Sequence, residues 1–123
     1  MKTLIIGASG KIGKCLVKRK SKSYIYTYNT KEIKNGIKFN LSRDNIKKIL
    51  KKYLVSKVVY LSAISDPDEC FKNKRKSKLI NITKTKKIID TLVKLNIYFI
   101  FFSSEYIFSG KKGNYNERSI VLR

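Results

Sequence analysis

The chain has no histidine or tryptophan, one proline, one methionine, two cysteines and only 8 acidic residues in 123. Cys15 and Cys70 are too few for a disulfide framework, and without histidine they complete no metal-ligand pattern, so no metal is expected. Both read as reduced thiols in a cytoplasmic protein. No long hydrophobic run is present either. The apolar stretch after Lys2 is cut off by glycines and Lys11, too soon for a signal peptide or a membrane span. No membrane partner is expected, and no repeat, linker or low-complexity segment interrupts the chain.

Against 8 acidic residues stand 29 Lys and Arg, a formal net charge of +21. Such an excess points to nucleic acid or another polyanion. It is equally the product of AT-rich coding sequence, which enriches Lys, Ile, Asn and Tyr together. The basic residues are spread over helices and loops rather than gathered in one run, as on a solvated face. No specific nucleic-acid partner is expected, only weak, salt-sensitive adhesion to polyanions.

The most informative segment is Gly7-Ala8-Ser9-Gly10-Lys11-Ile12-Gly13, directly behind the apolar Thr3-Leu4-Ile5-Ile6. Strand, glycine turn and helix start in that order form the place where a Rossmann-type sheet holds a dinucleotide diphosphate. Gly7 suits a backbone forbidden to other residues, Gly10 a close approach to phosphate, and Gly13 close packing of helix on strand. Amides of the first helical turn would then face the anion. The competing reading of the segment taken alone, a plain glycine turn, carries less weight.

Strand and helix periods alternate beyond it. Strands are expected at 3–7, 23–29, 37–39, 57–62 and 97–102, and helices at 11–20, 43–54 and 69–95, the last loosened near Asn73. Ile12, Leu16 and Val17 should share one helix face, Ser42 or Asp44 should cap the second helix, and Leu79, Ile82, Ile88, Ile89, Leu92 and Val93 should point inward. Ser65-Asp66-Pro67-Asp68 reads as the loop leaving the fourth strand. Right-handed crossovers between these strands give an α/β fold, a doubly wound parallel sheet of about five strands in the order 3-2-1-4-5. Residues 1–123 read as one NAD(P)-binding Rossmann domain, with 111–123 as a loose tail. The fifth strand is apolar on both faces, like a central strand, yet this order puts it at an edge.

Four further segments carry a resemblance. Ser103-Ser104-Glu105-Tyr106-Ile107-Phe108-Ser109-Gly110, with Tyr115-Asn116-Glu117 after it, resembles the "STDYVFDG... Y-x-E" motif of the extended short-chain dehydrogenase/reductases, and most closely their dTDP-4-dehydrorhamnose reductase group. Ala63-Ile64-Ser65, Asp68-Glu69-Cys70 and Ile80-Asn81 match that group's "AAxT", "D-x-C" and "VN" elements in order. The resemblance implies hydride transfer from NADPH to a keto carbon of a nucleotide-linked sugar. The proton would come from the Tyr of a Tyr-x-x-x-Lys pair, whose Lys lowers a phenol pKa of about 10. It implies that Ser104 holds the substrate carbonyl as a catalytic hydroxyl, with Glu105 beside the substrate. Gly7, Ser9, Gly10, Lys11, Ile12 and Gly13 would line the diphosphate, Asn40 and Leu41 the adenine, and Ala63, Ile64 and Ser65 the nicotinamide ribose. Asn40 stands where relatives carry Asp.

At the end of the second strand, Thr30 and Lys31 suit a 2'-phosphate and Glu32 is one place too far on for a ribose diol, so NADP is favoured over NAD. The only Tyr-x-x-x-Lys string, Tyr53 to Lys57, falls at the amino edge of the sheet, away from where ligands bind such sheets. Arg123 comes six residues past Glu117, before the family's catalytic pair, its later strands and its sugar-gripping region. The expectation is a carboxyl-terminally truncated form, inactive alone: a truncated or frameshifted gene product, one half completed by a complementing chain, or a binding module. Three functions stay open: the NADP-binding portion of a sugar-nucleotide reductase, a non-catalytic nucleotide-binding or regulatory subunit (with a homo-oligomer or second chain covering the fifth strand), and a polyanion binder.

Overall fold

Five short parallel strands form the sheet in this computed structural model, which describes residues 1–121. They are β1 (Lys2–Ile6), β2 (Tyr24–Tyr28), β3 (Ile37–Lys38), β4 (Val55–Tyr60) and β5 (Tyr98–Phe101). Their order is β3-β2-β1-β4-β5, the expected doubly wound, Rossmann-like arrangement. Leu4 pairs with Ile25 on one side and Val58 on the other, so β1 is central. Chain direction reverses outward from β1 to β2 and then to β4, which opens a crevice at the carboxyl ends of these strands.

Five α-helices connect the strands: α1 (Lys11–Lys18), α2 (Ile46–Lys52), α3 (Pro67–Lys72), α4 (Lys74–Lys78) and α5 (Thr85–Lys94). Between α4 and α5 runs a wide π turn, Leu79–Lys84. Asn73 leaves helical geometry at φ −122° and ψ 53°, giving the break expected there. The core fills one face of the sheet: Leu4 and Ile6 of β1, Val58 and Tyr60 of β4, Ile46, Ile49 and Leu50 of α2, and Ile88 and Leu92 of α5. Side-chain alternation along β1 sends Ile5, also fully buried, to the other face.

Several local expectations give way. The fourth strand runs Val55–Tyr60 rather than 57–62, because Leu54 turns the chain at φ 49° right after α2. The second helix starts at Ile46, capped by the Asn45 side chain, which accepts from the Lys47 amide. Ser42 and Asp44 do not cap it, since Asp44 instead accepts the Asn40 amide at 2.6 Å. Helix α3 begins at Pro67 and its cap is Asp66, which accepts the Glu69 amide at 3.0 Å. Of the six side chains expected inward on the last helical region, Ile88 and Leu92 are buried and Ile89 half-buried. Leu79, Ile82 and Val93 are exposed, the last two at 58% and 62%. In the π turn hydrogen bonds span one residue more than in an α-helix, so Ser77, Thr85, Ile88 and Leu92 become the buried line. Ile12 is likewise exposed, at the mouth of the first turn of α1.

Strand β5 lies at the sheet edge with Tyr98, Ile100 and Phe101 exposed. After a one-turn 3-10 helix, Glu105–Ile107, no regular element follows among the described residues. Phe108 stacks on Tyr115 at 4.5 Å between ring centres, and the Lys112 amide donates to the Tyr115 hydroxyl at 3.1 Å, so 108–115 closes on itself as a loop. Leu122 and Arg123 of the expected tail lie outside the described residues.

Candidate functional site

Where β1 ends, Gly7 takes φ +84°, and a Cβ there would lie 2.9 Å from the Ser62 backbone. A side chain is excluded twice, by conformation and by the backbone just past β4. Buried Thr27 pins this turn to β2. Its hydroxyl accepts the Gly7 amide at 3.2 Å and donates to the Ile5 carbonyl at 3.2 Å, while its own carbonyl accepts the Ala8 amide at 2.9 Å. Thr27 was not singled out by sequence, because its partners lie on another strand. At Gly13 a Cβ would meet the Ala8 Cα and carbonyl oxygen at 2.5 Å, so α1 rests directly on the turn.

Helix α1 has Gly10 as its N-cap, with no side-chain cap and no acidic residue in its first turn among the described residues. Its leading amides therefore keep their capacity to bind an anion, and the helix dipole favours one.

The turn opens onto a crevice of about 460 Å³, with one wall from residues 27–30 and 39–42 at the ends of β2 and β3 and the other from residues 62–64 after β4. Gly7, Ser9, Asn40, Leu41, Ala63 and Ile64 of the sequence-derived set line it. Gly10, Lys11, Ile12 and Gly13 follow Ser9 into α1, beside the crevice rather than in its lining. Lys31 lies exposed just past the lining residues Asn29 and Thr30. Ser65 is exposed next to Ile64. Ser104 and Glu105 are exposed beyond the end of β5, on the same carboxyl edge of the sheet but outside the lining.

Asn40 shapes its wall. Its side-chain oxygen accepts the Ser42 amide at 2.8 Å, closing a tight turn that presents Leu41. On the opposite wall, Ile64 is gripped by Asn81, whose oxygen accepts the Ile64 amide at 2.8 Å and whose nitrogen donates to the Ile64 carbonyl at 2.9 Å. The Cys70 thiol donates to the same carbonyl at 3.3 Å. At the rim, Lys76 pairs with Glu69 at 3.0 Å, both partly exposed. Beneath, the Tyr60 hydroxyl lies 2.7 Å from that of Thr85, which spends its own proton on the Ile80 carbonyl at 2.8 Å, so Tyr60 is the donor. Burial raises the Tyr60 phenol above the ordinary tyrosine range.

Tyr53 and Lys57 sit at the opposite edge of the sheet. Tyr53 ends α2 and packs against the core, while Lys57 is exposed on β4. Neither reaches the crevice. No cluster of metal-ligating side chains occurs among the described residues, and no described helix is long and apolar enough to cross a membrane.

A family model described as the RmlD substrate binding domain matches residues 1–122. The chain belongs to that family. Among solved structures, a hypothetical dTDP-4-dehydrorhamnose reductase from Sulfolobus tokodaii is 32% identical, with a TM-score of 0.88 over 99% of this chain and 46% of its own. At 20% identity, MoeE5 in complex with UDP-glucose and NAD shares the fold, with a TM-score of 0.83 over 99% of this chain and 42% of its own. So does the UDP-N-acetylglucosamine 4-epimerase from Methanobrevibacter ruminantium M1, in complex with UDP-N-acetylmuramic acid, at 20% identity and a TM-score of 0.81, covering 98% of this chain and 44% of that one. Among curated proteins no sequence matches. The RmlD-family chain thus spans less than half the length of each of these three solved relatives.

Proposed function

We propose that the crevice binds a nicotinamide dinucleotide, preferentially NADP, and that these 123 residues are the cofactor-binding portion of a sugar-nucleotide reductase. One observation carries the reading: a glycine turn with φ +84° delivers the uncapped start of α1 to the point where strand order reverses. A diphosphate would lie over the amides of residues 9–13, and the adenosine would lie against Asn40 and Leu41. The second nucleoside would run along Ala63, Ile64 and Ser65. Thr30 and Lys31 would meet a 2'-phosphate.

The residues present fit the cofactor, because the turn is glycine where a Cβ would fill it and no carboxylate stands in the first turn to repel phosphate. NADPH supplies a hydride when bound. The chain's own share would be to orient it, with Ser104 and Glu105 toward a nucleotide-linked keto sugar of the kind named for the Sulfolobus relative. Within residues 1–123 no Tyr-x-x-x-Lys pair stands at the carboxyl edge, so this polypeptide alone should bind without turning over.

Differential scanning fluorimetry with NADPH, alongside a turnover assay on dTDP-4-dehydrorhamnose, tests both halves. The expected result is thermal protection without NADPH oxidation. Protection that is absent at millimolar NADPH would overturn the binding claim, and robust turnover would overturn the inactivity claim.

A second reading, a non-catalytic nucleotide-binding subunit, is favoured by the apolar side chains that β5 leaves exposed. Light scattering after size exclusion separates the two, since a strict monomer that binds no apolar dye argues against a subunit role.

A further inference from the structure

Positive charge, expected to be spread over the surface, has one dense stretch. Residues 72–78 read Lys-Asn-Lys-Arg-Lys-Ser-Lys, five cations in seven positions, and the fold wraps them around a joint. Helix α3 ends where Asn73 leaves helical geometry, and α4 starts again at Lys74. Buried Ser77 pins the two together. Its hydroxyl lies 3.3 Å from the Cys70 carbonyl of α3, 3.2 Å from that of Asn73 and 3.1 Å from that of Lys74. The joint borders a hollow of about 430 Å³ lined by Lys72, Asn73, Lys74, Arg75, Lys76 and Leu79.

Lys76 is paired with Glu69, but Lys72, Lys74, Arg75 and Lys78 are exposed and make no ion pair among the described residues. Unpaired cations held this close repel one another and favour a multivalent anion. Beside them stands Phe71, 74% exposed, with the Lys74 ammonium 4.7 Å from its ring centre. A lone phosphate has no use for an exposed ring. A polynucleotide strand brings both, a row of phosphates for the cations and base faces that stack on an aromatic. Bases inside a duplex are already stacked, so the strand is a single one.

We propose that the α3–α4 joint binds single-stranded nucleic acid, with Phe71 stacking a base and Lys72, Lys74 and Arg75 holding the flanking phosphates. Such a site reads charge and base faces rather than sequence. Of the residues lining the hollow, only Lys76 also lines the crevice, so the site does not depend on the dinucleotide reading.

Fluorescence anisotropy of the full chain with oligo(U) and oligo(dT) of about eight nucleotides tests it. Phe71→Ala removes an exposed ring and no charge; it should weaken binding about tenfold, and Phe71→Trp should keep it. Lys72→Gln, Lys74→Gln and Arg75→Gln together should flatten the slope of log affinity against log salt by about 2. Removing the same charge from α2, by Lys47→Gln, Lys48→Gln and Lys51→Gln, should leave affinity nearly unchanged, because α2 lends no residue to the hollow.

No loss in Phe71→Ala, or an equal loss in the α2 variant, overturns the proposal and leaves diffuse charge attraction. Capture by phosphatidylserine vesicles with no binding of either oligomer overturns it in favour of a membrane surface. Where the site holds, tighter oligo(U) names RNA as the ligand and tighter oligo(dT) names single-stranded DNA. Amide-resolved NMR of the wild type gives a reading free of variants: oligo(U) should shift residues 71–79, and shifts confined to residues 9–13 would overturn the assignment.

Discussion

The centre of the sheet and its β5 edge are built on opposite terms. Around β1 and its neighbours, close approaches are satisfied: Gly7 fits against Ser62, Gly13 against Ala8, and the Thr27 hydroxyl bonds both β1 and the turn that follows it. At β5 the backbone edge is open and Tyr98, Ile100 and Phe101 are 65%, 46% and 46% exposed. The first region has no slack for an added carbon atom. The second has apolar surface with no partner among the described residues. Local constraint is therefore concentrated where a ligand would need fixed amides, while β5 packs inward through Phe99 and Phe101 and leaves its outer edge open.

Substitutions can break this contrast. The largest effect is expected for Gly13→Ala, whose Cβ would lie 2.5 Å from the Ala8 backbone with no flexible side chain to give way. Moving α1 off the turn should cost about 3 kcal/mol by urea denaturation and abolish nucleotide binding. Gly7→Ala should follow at about 2 kcal/mol, from its positive φ and the 2.9 Å approach to Ser62.

Tyr60→Phe should cost about 1 kcal/mol near neutral pH by removing the donor to Thr85. The phenol pKa is raised in the folded chain above the ordinary tyrosine value of 10.0, because burial disfavours the phenolate. Its protonated form therefore contributes stability that is present below about pH 10 and lost as pH rises through the folded value. The wild type should lose stability faster than Tyr60→Phe on the alkaline side, which denaturation at several pH values would show. Smallest of all should be Ile100→Lys on β5. A change below about 0.5 kcal/mol is expected, with reduced binding of an apolar dye. A loss as large as that of Gly7→Ala would erase the contrast between the two regions.

Strand order and the glycine turn were legible because they depend on local pattern: apolar runs, β-branched content and glycines at fixed offsets. The cap of α2 was not, since Ser42, Asp44 and Asn45 all offer capping oxygens and the choice was made when Asp44 bonded back to Asn40. The inward face after Leu79 was misread because periodicity assumes a constant turn, and the π turn changes it. Thr27, and Lys84 with its bond to the Ser42 carbonyl, escaped as site residues because their partners are 20 and 42 positions away, and no local signal encodes a contact at that range. Asn81 stood in the Ile80-Asn81 motif, which marks the residue without showing its hold on Ile64, 17 positions back. Of the resemblance, the parts resting on backbone path, such as Ala63 and Ile64, fall in the crevice lining, whereas Lys31, Ser104 and Glu105 are exposed outside it.

The central claim is that main-chain amides of the first glycine turn hold a diphosphate. Amide-resolved NMR titration of the chain with ADP tests it most directly. The account predicts that the largest shifts fall on residues 9–13, with smaller ones at Asn40 and Leu41. Shifts confined to the Lys-rich stretch 72–78, with residues 9–13 unmoved, would contradict it and mark the binding as charge attraction alone.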